Sequence, residues 1–382
     1  MTKPDAFATF EKIWIDRQSL SSKVAQRIRE RYDSSIIEVV DANPFQDHKG
    51  LMSPEQFNRS KRLLYVKPFV GHFFKRCPGA TQKKVLTCCN YHVLNLGQQC
   101  NFNCSYCYLQ SYLNTPTMQV YSNIDQALTE LREMASQFPD HPFRVGTGEV
   151  IDSLSLDPVT LYSRDLIEFF CEFPKWTLEF KTKSASVDQF LDVPHAGNIV
   201  VSWSINPAAV INSEEHGTAR LPERLEAASK CRDRGFQVAF HIDPMIYFED
   251  WQEHYRDLVR EITSRFEVKD VHVISVGALR FQPEQRHLMR DRFGMQSMVT
   301  RAEMLPSDGG KMRYDQALRQ EMFKFVKDEF ASYGSQWRIF FCMETPETWI
   351  SSFAATPMQV PELKTLFRPL PKISSLDSAQ PN

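Results

Sequence analysis

The chain has almost no excess of charge. Across 382 residues, 45 Lys and Arg stand against 47 Asp and Glu, a formal −2, so composition alone does not announce a nucleic-acid partner. No apolar run approaches the length that spans a bilayer, and no membrane segment is expected. The first residues, Met1-Thr2-Lys3-Pro4-Asp5, lack the apolar core and cleavage pattern of a secretory leader. No internal repeat is visible. The nine cysteines also lack the paired spacing of a zinc site, C-x2-4-C with a second Cys or His pair further on. Nine cysteines without a leader argue against a disulfide framework and for metal or redox chemistry in a reducing cytoplasm.

What is present is one compact trio, Cys100-Asn101-Phe102-Asn103-Cys104-Ser105-Tyr106-Cys107-Tyr108. Iron–sulfur cubes are normally closed by four thiolates. Three thiolates with no fourth nearby leave one iron open to another ligand. C-x3-C-x2-C with an aromatic residue before the last cysteine resembles the radical S-adenosylmethionine (SAM) enzymes. That resemblance implies a [4Fe–4S] cluster on Cys100, Cys104 and Cys107. It also implies SAM held by the open iron and split by one electron to a 5′-deoxyadenosyl radical. Of the other cysteines, Cys171 and Cys231 are expected to be small core residues, and Cys77, Cys88 and Cys89 are too few for a second complete cluster.

Around the trio, strand-like runs alternate with helical ones. Strands are expected at Leu86–Leu96, Phe143–Thr147, Thr177–Thr182, Asn198–Ser204, Phe236–Ile242 and Val271–Val276. Helices are expected near Asp125–Phe138, Pro158–Phe173, Pro222–Gly235 and Trp251–Phe266. Strands joined by such crossovers predict an α/β fold with a parallel sheet. A partial, six-unit radical SAM barrel is what the resemblance implies. Residues 1–85 read as irregular, 86–299 as the barrel, and 300–353 as an α/β addition with a helix at Gln316–Ser332 and a strand at Trp337–Cys342. Residues 354–382 read as a flexible tail.

Chemistry is expected where strands end. Gly146-Thr147-Gly148-Glu149 closes the second predicted strand; its glycines would let a ligand approach, and Glu149 would accept from an ammonium group. Lys181-Thr182-Lys183 closes the third, Ser202-Trp203-Ser204-Ile205-Asn206 the fourth and His241-Ile242-Asp243-Pro244 the fifth. Together with Cys107-Tyr108-Leu109-Gln110, Glu223-Arg224-Leu225-Glu226 and Trp251, these runs are similar to the spore photoproduct lyase family, from about residue 60 to 345. That likeness implies repair of a thymine–thymine adduct in DNA by hydrogen abstraction, with electrons from a reduced flavodoxin or ferredoxin. It implies Lys183 as partner of the SAM carboxylate, Ser204 near SAM, and Tyr106 and Tyr108 beside the last cluster cysteine.

The chain departs from that family at one point. Spore photoproduct lyase carries a cysteine after its second strand that returns a hydrogen atom to the product. Here Gly146 to Asp152 holds no thiol, and Glu149 or Val150 falls at the position. Cys342 is the leading substitute, with Tyr106, Tyr108 or Tyr314 as others. The stretch Arg59–Lys84 carries eight basic residues and no acidic one, with Tyr65, Phe69, Phe73 and Phe74 interleaved; it is read as a candidate phosphate- and base-contacting patch, against a solvated face over core aromatics. Two alternatives to DNA repair stay open: a radical SAM enzyme acting on RNA, protein or a metabolite, and a non-enzymatic iron–sulfur redox sensor.

Overall fold

Ile199–Ser204 reads Ile-Val-Val-Ser-Trp-Ser and is buried at every position, as a parallel strand covered on both faces must be. It is the centre of an eight-stranded sheet in a computed structural model that describes residues 9–79, 86–307 and 309–368. The sheet comprises β1 (Phe74–Arg76), β2 (His92–Leu94), β3 (Arg144–Gly146), β4 (Thr177–Thr182), β5 (Ile199–Ser204), β6 (Gln237–Met245), β7 (Val271–Ala278) and β8 (Ile339–Phe341). Strands β2 to β8 are parallel and lie side by side in chain order; β1 is antiparallel to β2. The sheet curls so that the segment before β2 bridges to the segment after β8, where Thr87 N donates to Glu344 O at 2.8 Å. This is the expected partial barrel, with the strand assigned to the C-terminal addition joining the same sheet.

The helices pack outside. In Trp251–Thr263, Trp251, Tyr255, Leu258, Val259 and Ile262 are buried, the one-sided stripe of an amphipathic helix against a core. The helix expected over Pro158–Phe173 is instead two, Asp157–Thr160 and Tyr162–Phe170, because Leu161 between them has φ 54°. Asp157 stabilises the break by accepting from Ser163 N at 2.8 Å and from its hydroxyl at 2.5 Å.

Four expectations need correction. Residues 1–85 are not irregular where described. Lys12–Asp16, Ile37–Val40 and Leu63–Lys67 join Met118–Tyr121 and Gly97–Gln98 in a second, five-stranded sheet; strand partners that distant leave no local signal. The first barrel strand is His92–Leu94 only, since Leu86–Tyr91 crosses the gap between the sheet edges. The tail is packed through Arg368, with Leu363, Leu366 and Phe367 buried, while residues 369–382 lie outside the described residues. Cys171 is exposed rather than core.

The tail closes the amino-terminal end of the barrel. Asn90 Nδ2 donates to Phe367 O and Arg368 O at 3.1 and 2.7 Å, and the Phe367 ring meets Phe340 and Trp349. Ending the chain at Phe353 is therefore expected to lower stability by at least about 3 kcal/mol, since three buried apolar side chains are lost. An unchanged urea midpoint for the shortened chain would show that the tail does not hold the barrel shut.

Candidate active site

The cysteine run leaves the carboxyl end of β2 and is held by groups far away in sequence. Asn103–Cys104 forms a two-residue antiparallel bridge with Glu215–His216. Lys61 Nζ, from the basic stretch, donates to Cys100 O and Phe102 O at 3.0 and 2.5 Å. Gln110 Nε2 donates to Ser105 O and Cys107 O at 2.9 and 2.8 Å, and Gln285 Nε2 to Tyr106 O and Cys107 O at 3.2 Å each. A loop so fully bonded is fixed before any ligand arrives.

Glu215 anchors the whole. It is 2% exposed, accepts from the Tyr106 hydroxyl and from Asn206 Nδ2 at 3.0 Å, and pairs with Arg224 at 2.6 Å. Against burial, Arg224 and Lys183 hold its carboxyl down at about 2. Lys183 lies 5.6 Å over the Tyr106 ring. Against burial, the charges of Glu215 and Cys104 raise its ammonium's pKa, so it is fully protonated at neutral pH.

The three thiols interact with one another. Burial pushes Cys100 up to about 11, with Lys61 opposing and Cys107 adding; burial also raises Cys104, with Lys183 opposing. Bringing three deprotonated sulfurs together is unfavourable unless a metal centre takes up their charge. Among the described residues, no three Cys, His, Asp or Glu converge as ligands of one metal ion do. Soft donors fixed by backbone bonds beside cations fit the corners of a four-iron cube.

The remaining candidates line the concave face. Glu179 in β4 reaches His241 in β6 across intervening β5, Oε1 to Nε2 2.7 Å. Burial and Lys181 lower the His241 pKa, which leaves a neutral imidazole against a carboxylate held well below its usual range. Asp243 takes a bidentate pair from Arg280 at 2.9 and 3.0 Å. Ser204 is buried and its carbonyl accepts from Arg224 Nη1 at 2.8 Å. Cys342 Sγ accepts from Arg280 Nη2 at 3.8 Å.

The two glycines pass close to the protein's own atoms. A Cβ at Gly146 would sit 1.7 Å from the Tyr91 hydroxyl, and one at Gly148 would be 3.0 Å from both Lys181 O and Ser153 Oγ; both make room for the protein's own atoms. Glu149 is paired with Lys75 at 3.0 Å, and its carbonyl accepts from the Tyr108 hydroxyl. The aromatic residues of the basic stretch are also internal: Tyr65, Phe73 and Phe74 are buried and Phe69 stacks on Tyr121. They offer no stacking platform. Arg59 and Arg62 pair with Glu11, and Lys83 and Lys84 lie outside the described residues. Sequence reasoning missed Lys61, Gln285, Glu179 and Glu215, for which only the run Glu223-Arg224 hinted at a buried partner.

Because the folded pKa of Glu215 is depressed from 4.5 to about 2, the stability it contributes is present above 4.5 and is lost as pH falls through about 2. Glu215→Gln is expected to cost on the order of 3 kcal/mol at neutral pH. In urea titrations across pH, the gap from the parent should close below pH 4.5; a gap independent of pH would remove the buried charge from the argument.

The profile of the spore photoproduct lyase family matches residues 9–327. The spore photoproduct lyase of Geobacillus sp. (strain Y412MC61) is 24% identical over 288 residues, 74% of this chain and 82% of its own. That of Bacillus subtilis (strain 168) is 25% identical over 258 residues, 65% and 72% of the two chains. A spore photoproduct lyase double variant with bound AdoMet and dinucleoside spore photoproduct superposes with a TM-score of 0.76 at 21% identity, covering 87% of this chain and 99% of that one. Another, complexed with dinucleoside spore photoproduct, gives the same TM-score and coverage. With a family profile spanning most of its length, this chain belongs to the spore photoproduct lyase family of radical SAM proteins.

Proposed function

We propose that this protein is a radical SAM lyase that reverses a photoproduct in DNA, with a [4Fe–4S] cluster on Cys100, Cys104 and Cys107. The observation that carries the reading is the placement of these three buried or half-buried thiols on one fixed loop beside the Lys183 ammonium, in a chain of this family. When bound, the cluster and SAM supply the radical that takes hydrogen from the lesion. The chain's own residues bind and orient. Lys183 faces the cluster loop and suits the SAM carboxylate, and Glu149 suits its amino group. Ser204, His241 and Asp243 line the wall on which the adenosine part would rest, and Tyr106 and Tyr108 flank the last thiolate.

Electrons would come from a reduced flavodoxin or ferredoxin-type protein. No helix among the described residues is long and apolar enough to cross a membrane, and the free thiols suit the reducing cytoplasm in which we place the reaction.

Three measurements test this. Anaerobically reconstituted protein should bind about four irons, and Cys104→Ala should lose them, because two thiolates do not anchor a cube; a stable cluster in that variant would refute the ligand set. Lys183→Ala should weaken SAM binding by about ten-fold with iron content retained. Incubation of reduced protein with SAM and ultraviolet-irradiated DNA should restore thymines, and SAM cleavage with no change in any lesion would point to another substrate.

A further inference from the structure

Carbon–carbon cleavage in the proposed repair leaves a carbon radical on the product, and that radical needs one hydrogen atom. A thiol is the usual kind of source, its S–H bond being weaker than the C–H bond formed. The loop Gly146–Asp152 has none. The structure brings one thiol, Cys77, from another segment into the reach of the Glu149 charge in that loop. Lys75 in β1 pairs with Glu149 at 3.0 Å, and two residues on Cys77 N donates to Tyr91 O at 2.9 Å. Tyr91 is the residue whose hydroxyl fills the space beside Gly146. Where a side chain on Gly79 would begin, the sulfurs of Cys77 and Cys88 stand 3.7 and 3.8 Å away. Cys88 in turn hydrogen-bonds the Cys89 sulfur. Three thiols thus meet on and beside the crossing segment, a group absent from the cluster and unused by the proposed chemistry.

Resting on the repair reading above, we propose that Cys77 is the hydrogen-atom donor that completes the reaction, with the Cys88–Cys89 pair as its partner. In the step the Cys77 S–H bond breaks, a C–H bond forms on the product, and a thiyl radical remains on Cys77. The Cys89 thiolate adds to it in a sulfur–sulfur three-electron bond. One electron from the low-potential flavodoxin or ferredoxin-type donor, with one proton, returns the pair to thiol and thiolate.

The electrostatics suit this division of labour. Burial and the neighbouring Cys89 charge push the Cys77 thiol up to about 11, so it keeps its hydrogen at neutral pH. The hydrogen bond from Cys88, with Arg144 nearby, lowers Cys89 to about 6 despite its burial. Cys342 is the weaker candidate. Its sulfur is already engaged by Arg280.

The test begins with the cluster-loaded protein under mild diamide oxidation and no SAM. Peptide mapping should recover a disulfide from Cys77 to Cys88 or Cys89, and its absence at full oxidant would overturn the arrangement. Next, repair is run in D2O. The parent should place one solvent deuterium in each restored thymine. Cys77→Ser, close in size but with an O–H bond too strong to give up hydrogen, should lose that label and cut intact product by at least about ten-fold in favour of trapped or adducted thymine. Labelled product at the parental level from Cys77→Ser would overturn the proposal. If Cys77→Ser misfolds, seen as lost iron, the disulfide result in the parent still decides. If the parent cleaves SAM but repairs nothing, the repair reading fails, whereas parental repair with an indifferent Cys77→Ser defeats only the donor assignment.

Discussion

One buried carboxylate holds the candidate site together. Glu215 pairs its backbone with Cys104, takes the Tyr106 hydroxyl and the Asn206 amide, and binds Arg224, which donates to the carbonyl at the end of β5. A charge with no exposure is tolerable only when its oxygens are satisfied, and here the partners come from the cysteine loop, the segment after β5 and the helix Leu221–Asp233. The interaction therefore fixes the loop's position on the sheet. Lys183 stays charged in the interior because Glu215 and the Cys104 sulfur face it.

The concave face of the sheet shows a second layer of the same strategy. Most interiors of this size are apolar, yet this one carries Glu179 against His241 and Asp243 against Arg280, with the Lys181 charge acting on both pairs. Such pairs contribute little net stability. They keep the wall polar and rigid, which suits a site that must receive a charged cofactor and hold reactive groups apart. The outer face is conventional by contrast, with amphipathic helices whose apolar stripes cover β-branched strands.

Curling the sheet is what turns separate strand ends into one mouth. The segment Leu86–Tyr91 crosses the gap, Thr87 bonds Glu344, and Arg313 and Arg319 pair with that same Glu344 at 3.0 and 3.1 Å. Edge strands left open would invite pairing with other chains. Here the closure also carries Cys88 to Cys77 beside Gly79, and the tail through Arg368 is bonded by Asn90 at the amino-terminal end of the barrel.

The sequence by itself determined the cysteine trio, the alternation of strands and helices, and the strand ends at which polar residues gather. These are local signals: spacing of ligands, a period of two or 3.6, and residue types at a strand's exit. Thr177–Thr182 was legible to the residue because six consecutive side chains carry its pattern. Only the tertiary structure decided what the glycines of Gly146-Thr147-Gly148 make room for, that Lys61 serves the cluster loop and not a phosphate, and that the amino-terminal strands form a sheet with Met118–Tyr121. It also decided that Cys77 meets Cys88 beside Gly79. Each of these depends on a partner tens of residues away or on a backbone atom, and a pair contact of that kind leaves no periodic trace in either segment alone.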